Sequence, residues 1–210
     1  MILSLLNQKG GVGKTTLAIN IAGSINLIDK KSKVLVIDAD PQGSLLDWAE
    51  VREIPSLFDV ISLPRAIIHK EIKKIGKNYD YIIIDCPPRI HDVAKSAIMA
   101  SDKTIIPIQP SPYDIWAVKE VIDIISEAIV FNDKLKPYFV INRRIVNTAI
   151  GRDSIDALNE YEVPLLKTHI YQRIIFAESA AMGKTVWEVN PRSRASQEIL
   201  KLTKEIIKKS

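Results

Sequence analysis

Asn7-Gln8-Lys9-Gly10-Gly11-Val12-Gly13-Lys14-Thr15-Thr16 follows an apolar run at residues 2–6 and leads into Leu17, Ile19 and Ile21, whose spacing opens a helix. Strand, glycine-rich turn and helix N-terminus in that order are the setting of a phosphate-binding loop. Glycines let successive backbone N–H groups turn inward around phosphate oxygens, and the helix adds the positive end of its dipole. Lys14 is expected to reach the β- and γ-phosphates and the Thr15 hydroxyl to ligate metal, so residues 9–16 are read as a site for ATP with Mg²⁺. Gln8 stands where the common form of such loops has its first glycine, and a second lysine, Lys9, comes next.

Outward from the loop, strand-length apolar runs recur at 34–37, 81–84, 104–108 and 138–141. Stretches with helical spacing lie between them at 15–28, about 90–100 and about 113–131. Strands so continuously apolar are covered on both faces. The class is therefore α/β, a doubly wound, mostly parallel sheet flanked by helices on both faces. Ligands in such sheets sit beyond the carboxyl ends of the strands, where Asn7, Asp38, Asp85, Pro107 and Asn142 fall.

Two of those ends carry acids. Val34-Leu35-Val36-Ile37-Asp38-Ala39-Asp40-Pro41-Gln42 offers two alternating carboxylates, one able to face a metal and the other an attacking water. Tyr81-Ile82-Ile83-Ile84-Asp85-Cys86-Pro87-Pro88 ends in a lone carboxylate suited to holding Mg²⁺ directly or through water. Any one of the three could be an ordinary turn or cap residue; three beside one phosphate loop point to a metal-assisted reaction.

The chain has 210 residues, 47% of them apolar and 26% charged, which predicts one domain spanning 1–210 with a full core. Cys86 is the one cysteine, so no intramolecular disulfide or multi-thiolate metal site is available and a reducing, cytoplasmic setting is expected. His69, His91 and His169 have no ligand spacing. No signal peptide or membrane-length apolar run is read from the sequence. The net charge is +4, with residues 1–142 balanced and the surplus confined to 143–210. Solvated surface lysines explain that surplus most simply; a polyanion-binding face is the sharper alternative.

The loop at 9–16, Asp38-Ala39-Asp40-Pro41-Gln42 and Asp85-Cys86-Pro87-Pro88 together resemble the deviant Walker A ATPases of the ParA/MinD family, in that family's order and spacing. Pro107-Ile108-Gln109-Pro110-Ser111-Pro112-Tyr113-Asp114 is similar to the proline-rich segment of its small, ParF-like plasmid-partition branch. The resemblance implies a homodimer closed by ATP, in which Lys9 crosses to the partner's phosphates while Lys14 acts in its own subunit. It further implies that Asp40 orients the attacking water and that Thr15, Asp38 and Asp85 organise Mg²⁺. Asn142 is implied to lie near the adenine, with Pro107, Gln109, Pro110 and Asp114 in the base pocket and dimer contact. A stiff proline loop is the plainer reading of that last segment.

Partition relatives of this kind bind DNA non-specifically, stay on the nucleoid, and are released when a ParB- or ParG-like centromere-binding partner stimulates hydrolysis. In a helix expected at 195–209, positions 195, 199, 202 and 206 form an apolar stripe. Lys201, Lys204 and Lys208 share another face, with Arg173, Arg192 and Arg194 as further DNA-binding candidates. With no helix-turn-helix segment ahead of the loop, specific operator recognition by this chain is not expected. Three other readings stand beside partition. A MinD-like ATPase would need the terminal helix free to lie in lipid, and no stable membrane association is expected. Positioning of a protein cargo such as a carboxysome uses the same cycle. An ATP-dependent synthetase is compatible with the fold. The nitrogenase iron protein is excluded, since its shared cluster needs two cysteines from each chain.

Overall fold

The computed structural model describes residues 1–146 and 149–208. Along the chain run β1 (Ile2–Leu5), α1 (Lys14–Ile28), β2 (Val34–Asp38), α2 (Ser44–Glu50), β3 (Asp59–Ser62), α3 (Ile68–Ile75), β4 (Tyr81–Asp85) and α4 (His91–Met99). They are followed by β5 (Lys103–Ile108), α5 (Pro112–Trp116), α6 (Val118–Ile129), β6 (Lys136–Ile141), α7 (Ala149–Leu158), α8 (Ile175–Ala181), α9 (Val186–Val189) and α10 (Arg194–Lys208). The strands form one six-stranded sheet in the order β3-β2-β4-β1-β5-β6. Every pairing is parallel.

Alternation along the strands divides the core into two layers. Leu35, Ile37, Ile82, Ile84, Ile106 and Ile108 face α3, α4 and α6. Val34, Val36, Ile83 and Ile105, with Leu3 and Leu5 of β1, face α1, α2 and α10. Helix α1 is apolar on nearly every side because it is enclosed between the sheet and α10. The stripe Ala195, Ile199, Leu202 and Ile206 is buried against that layer. Each of its larger side chains contributes roughly 1.5–3 kcal/mol of hydrophobic stabilisation.

Five strands fall where their apolar runs predict them. β3 does not announce itself, because it is four residues at the sheet edge with both ends exposed. The helix expected at 113–131 is interrupted at Ala117, giving α5 and α6. Ser111 caps α5 by accepting from the Asp114 backbone N–H at 3.2 Å, with Pro112 at the first helical position. The terminal helix, expected to reach Lys209, is described to Lys208; Lys209 lies outside the described residues.

The sheet order sets the site. From β1 the chain passes to β2 on one side, and from β4 it crosses over β1 to β5 on the other. The carboxyl end of β1 is thus the place where connections diverge and leave a crevice open.

Candidate functional site

Three side-chain amides tie down the loop after β1. Asn7 donates through Nδ2 to the Pro107 carbonyl at 2.8 Å and accepts from the Lys9 N–H at 2.8 Å. Gln109 Nε2 donates to the Gly11 carbonyl at 3.0 Å, and Asn142 Nδ2 to that of Val12 at 2.7 Å. The loop is therefore sewn to the ends of β5 and β6 as well as to β1. Gly13, the residue before α1, has φ +92°, a left-handed value that favours glycine. It leaves the first N–H groups of α1 without a side-chain cap, open to an anion.

Lys14 curls back over the loop, its Nζ 3.0 Å from the Asn7 carbonyl and 3.3 Å from that of Lys9. Burial lowers its pKa, and the charges of Asp85, Cys86 and Asp40 oppose that shift. An ammonium held this way is positioned to exchange two carbonyls for phosphate oxygens.

Asp38 and Asp85 are register neighbours at the ends of β2 and β4. Thr15 Oγ1 donates to Asp85 Oδ2 at 2.5 Å, while Asp85 Oδ1 is buried with no hydrogen-bond partner. Burial pushes the Asp85 carboxyl up to about 7; the Thr15 hydroxyl pulls it back, and the Asp38 charge raises it again. A hard dication would relieve both the orphaned oxygen and the crowding of charge. Mg²⁺ typically takes one or two protein oxygens and completes its shell with water and phosphate, and the Thr15 hydroxyl with the Asp85 carboxylate fits that demand. No cluster of three or more His, Cys, Asp and Glu side chains suited to a metal occurs among the described residues.

Asp38 is differently engaged. Its Oδ1 accepts from the Asp40 N–H at 3.0 Å, and its Oδ2 from Leu45 and Leu46 at 3.0 and 3.3 Å, so it pins the start of α2. Burial still raises its pKa. With three backbone donors in place, it suits a metal-bound water better than direct ligation. Asp40 is half-buried, accepts from the Gln42 N–H at 3.0 Å and faces the phosphate cleft.

That cleft, about 550 Å³, is lined by Gly10, Gly11, Gly13, Lys14, Thr15, Thr16 and Asp40, with Ser44, Asp47 and Trp48 on the far wall. A second cleft of about 420 Å³ adjoins it through Gly13, Thr16, Arg143 and Ala180. Asn142, Tyr171, Gln172, Arg173, Ile174 and Phe176 form its walls. One apolar, aromatic-sided cleft beside one phosphate-lined cleft suits a base and its phosphates. Asn142, at the end of β6, lines this second cleft. Tyr171, Gln172, Ile174 and Phe176 are not foreseen, since they lie some thirty residues beyond β6, in an irregular stretch running into the start of α8, with no motif; Arg173 is foreseen only as a DNA-binding candidate. Pro107, Gln109, Pro110 and Asp114, expected in the base pocket, line neither cleft. Pro107 and Gln109 brace the loop instead, and Asp114 is buried on α5.

Lys9 faces elsewhere. It lines neither of these clefts but a separate groove with Gln8, Arg89 and Glu120, and its Nζ contacts Asp114 Oδ2 at 2.7 Å. Of the basic residues near the C-terminus, Lys201, Lys204, Lys208, Arg192 and Arg194 are exposed. Arg173 is committed otherwise: it pairs with Glu198 at 2.5 Å and lies over the Tyr171 ring. Among the described residues no helix is long and apolar enough to cross a membrane.

A profile described as the CobQ/CobB/MinD/ParA nucleotide binding domain matches residues 3–186. The maintenance of carboxysome distribution protein A of Halothiobacillus neapolitanus is 31% identical over 209 residues, covering 98% of this chain and 95% of that one. The sporulation initiation inhibitor protein Soj of Bacillus subtilis is 27% identical over 248 residues, covering 98% and 97%. Among solved structures, the septum site-determining protein MinD of Pyrococcus horikoshii OT3, complexed with Mg-ADP, matches with a TM-score of 0.81. It is 21% identical over 99% of this chain and 96% of that one, a likeness of fold.

Proposed function

The chain belongs to the CobQ/CobB/MinD/ParA nucleotide-binding family, and from that premise we propose that it is a Mg²⁺-dependent ATPase whose ATP-bound dimer holds DNA non-specifically. A centromere-binding partner of the ParB or ParG kind would stimulate hydrolysis and release it, so that the protein cycles on and off the nucleoid in the cytoplasm and segregates DNA.

The observation that carries this reading is the divergence of two lysines five residues apart. Lys14 lines the phosphate cleft of its own subunit, whereas Lys9 faces a groove outside it. A cation that cannot serve its own nucleotide without turning is suited to serve a facing one, where it would stabilise charge on the transferring phosphoryl oxygens. Asp40, at the open side of the cleft, orients the attacking water. Thr15 and Asp85 would hold Mg²⁺, with Asp38 contributing through water, and the ion would supply positive charge against the phosphates. Asn142 and the 171–176 segment seat the base. Lys201, Lys204 and Lys208, with Arg192 and Arg194, supply a sequence-independent phosphate-binding face.

The test is binding to random-sequence duplex DNA without nucleotide, with ADP and with ATP, for the unsubstituted protein, Lys9→Ala, and a charge reversal of Lys201, Lys204 and Lys208. Salt-sensitive binding with ATP alone, lost in both variants, is expected. ATP hydrolysis with no DNA binding in any state would sink the reading. The full-length similarity to a protein named for carboxysome distribution supports a second reading, in which the cargo is a protein assembly and the ATP cycle is unchanged.

A further inference from the structure

The contact that occupies Lys9 bears on how the dimer would form. Asp114 is 1% exposed, and its Oδ2 accepts from Lys9 Nζ at 2.7 Å and from Ser111 Oγ at 2.6 Å. Its Oδ1 is buried without any hydrogen-bond partner. Among the described residues Lys9 is thus the only cation against this carboxylate, and the neutral Ser111 hydroxyl is its only other side-chain partner. The Lys9 side chain, 39% exposed at the rim, remains able to leave. Lys9 is also fixed at its other end, because its N–H donates to Asn7 Oδ1 and its carbonyl accepts from Lys14.

We propose that Asp114 is a positioning residue that holds Lys9 back in the free subunit, so that closure of the dimer must exchange the Lys9–Asp114 ion pair for the partner's phosphates. This rests on the dimer reading above and deepens it. A carboxylate stripped of its cation in a buried position is strongly unfavourable. The exchange therefore opposes closure by subunits without nucleotide, and only a facing triphosphate offers Lys9 more than Asp114 does. The restraint belongs to α5, a short helix held by the Ser111 cap, rather than to the phosphate loop. An Asn at 114 keeps the shape and the link to Ser111 and removes the charge.

Two measurements on the full chain test this. First, a limiting pulse of acetic anhydride is applied to dilute protein without nucleotide and read lysine by lysine by mass spectrometry. Lys9 is expected to react several-fold more slowly than exposed Lys119 and Lys134. Asp114→Asn should speed Lys9 alone, and Asp114→Glu should keep it slow. Second, sedimentation with ATP and Mg²⁺ is expected to show Asp114→Asn closing at roughly tenfold lower protein concentration than the unsubstituted chain. Equal labelling of Lys9, Lys119 and Lys134 in the unsubstituted protein overturns the proposal without any variant. So does an Asp114→Asn dimer that needs the same protein concentration or more. If the unsubstituted chain stays monomeric with ATP, the dimer reading fails, and the labelling still reports whether the ion pair exists.

Discussion

Asn142 Nδ2 stands 2.5 Å from where a Cβ on Gly13 would lie. One side chain thereby closes the loop from the β6 side and has to shift if any residue but glycine stands at its last turn. Gly13→Ala has to displace that amide and adopt φ +92° with a side chain, a strain of about 1–3 kcal/mol. Affinity for a fluorescent ATP analogue should fall roughly ten- to hundredfold, with the far-ultraviolet circular dichroism unchanged. Unaltered affinity would show that the loop relaxes around the new carbon.

Among the described residues the Asp40 carboxylate accepts one hydrogen bond, from the Gln42 N–H, and the bonds of its backbone to Asp38 and Gly43 survive loss of the side chain. Asp40→Ala should therefore keep ATP binding and ATP-dependent dimers while phosphate release falls on the order of a hundredfold or more. Sedimentation and a phosphate-release assay on one preparation separate the two effects. Loss of binding would move Asp40 from the water to the nucleotide.

The Arg52–Glu188 pair gives the fold a pH signature. Arg52 reaches Glu188 through two nitrogens at 2.6 and 3.1 Å and also donates to the Gly183 carbonyl, with both side chains almost buried. Burial pulls the Glu188 carboxyl upward, but hydrogen bonds from Arg52 and Thr185 outweigh it and hold the group below the usual glutamate range. A depressed carboxyl stabilises the fold above its unfolded pKa of about 4.3, and that contribution disappears as pH falls through the lower folded value. Glu188→Gln should cost about 2–4 kcal/mol in urea unfolding at pH 7. The gap to the unsubstituted protein should close below that acid range.

Helix α10 separates a structural from a peripheral role. Leu202→Ala should destabilise the protein by about 2–5 kcal/mol, while Lys204→Glu changes stability by no more than about 0.5 kcal/mol. An undiminished denaturation midpoint for Leu202→Ala would mean that the helix is free to leave the sheet, as a lipid-seeking segment must be.

Much of this is legible in the sequence alone. β2 and β4 appear as unbroken apolar runs ending in Asp38 and Asp85, because strands covered on both faces leave no room for polar positions. The loop at 9–16 is a local device and so is written locally. What escaped depends on distance. Lys9 meets Asp114 across 105 positions, and Asn142 meets Val12 across 130, which no periodicity records. The wall of the second cleft at 171–176 has neither a repeat nor a motif, only proximity. The break at Ala117 is equally silent, since helical spacing continues on either side of it.

Cys86 has a practical bearing on all of these experiments. It is 1% exposed at the end of β4, and burial drives its thiol pKa far upward, which leaves it inert towards maleimides and alkylating reagents. The protein is therefore expected to label as though it had no cysteine. A single introduced thiol at an exposed position can carry a dye without removal of the natural one, and donor- and acceptor-labelled copies mixed together would report subunit encounter by energy transfer in real time.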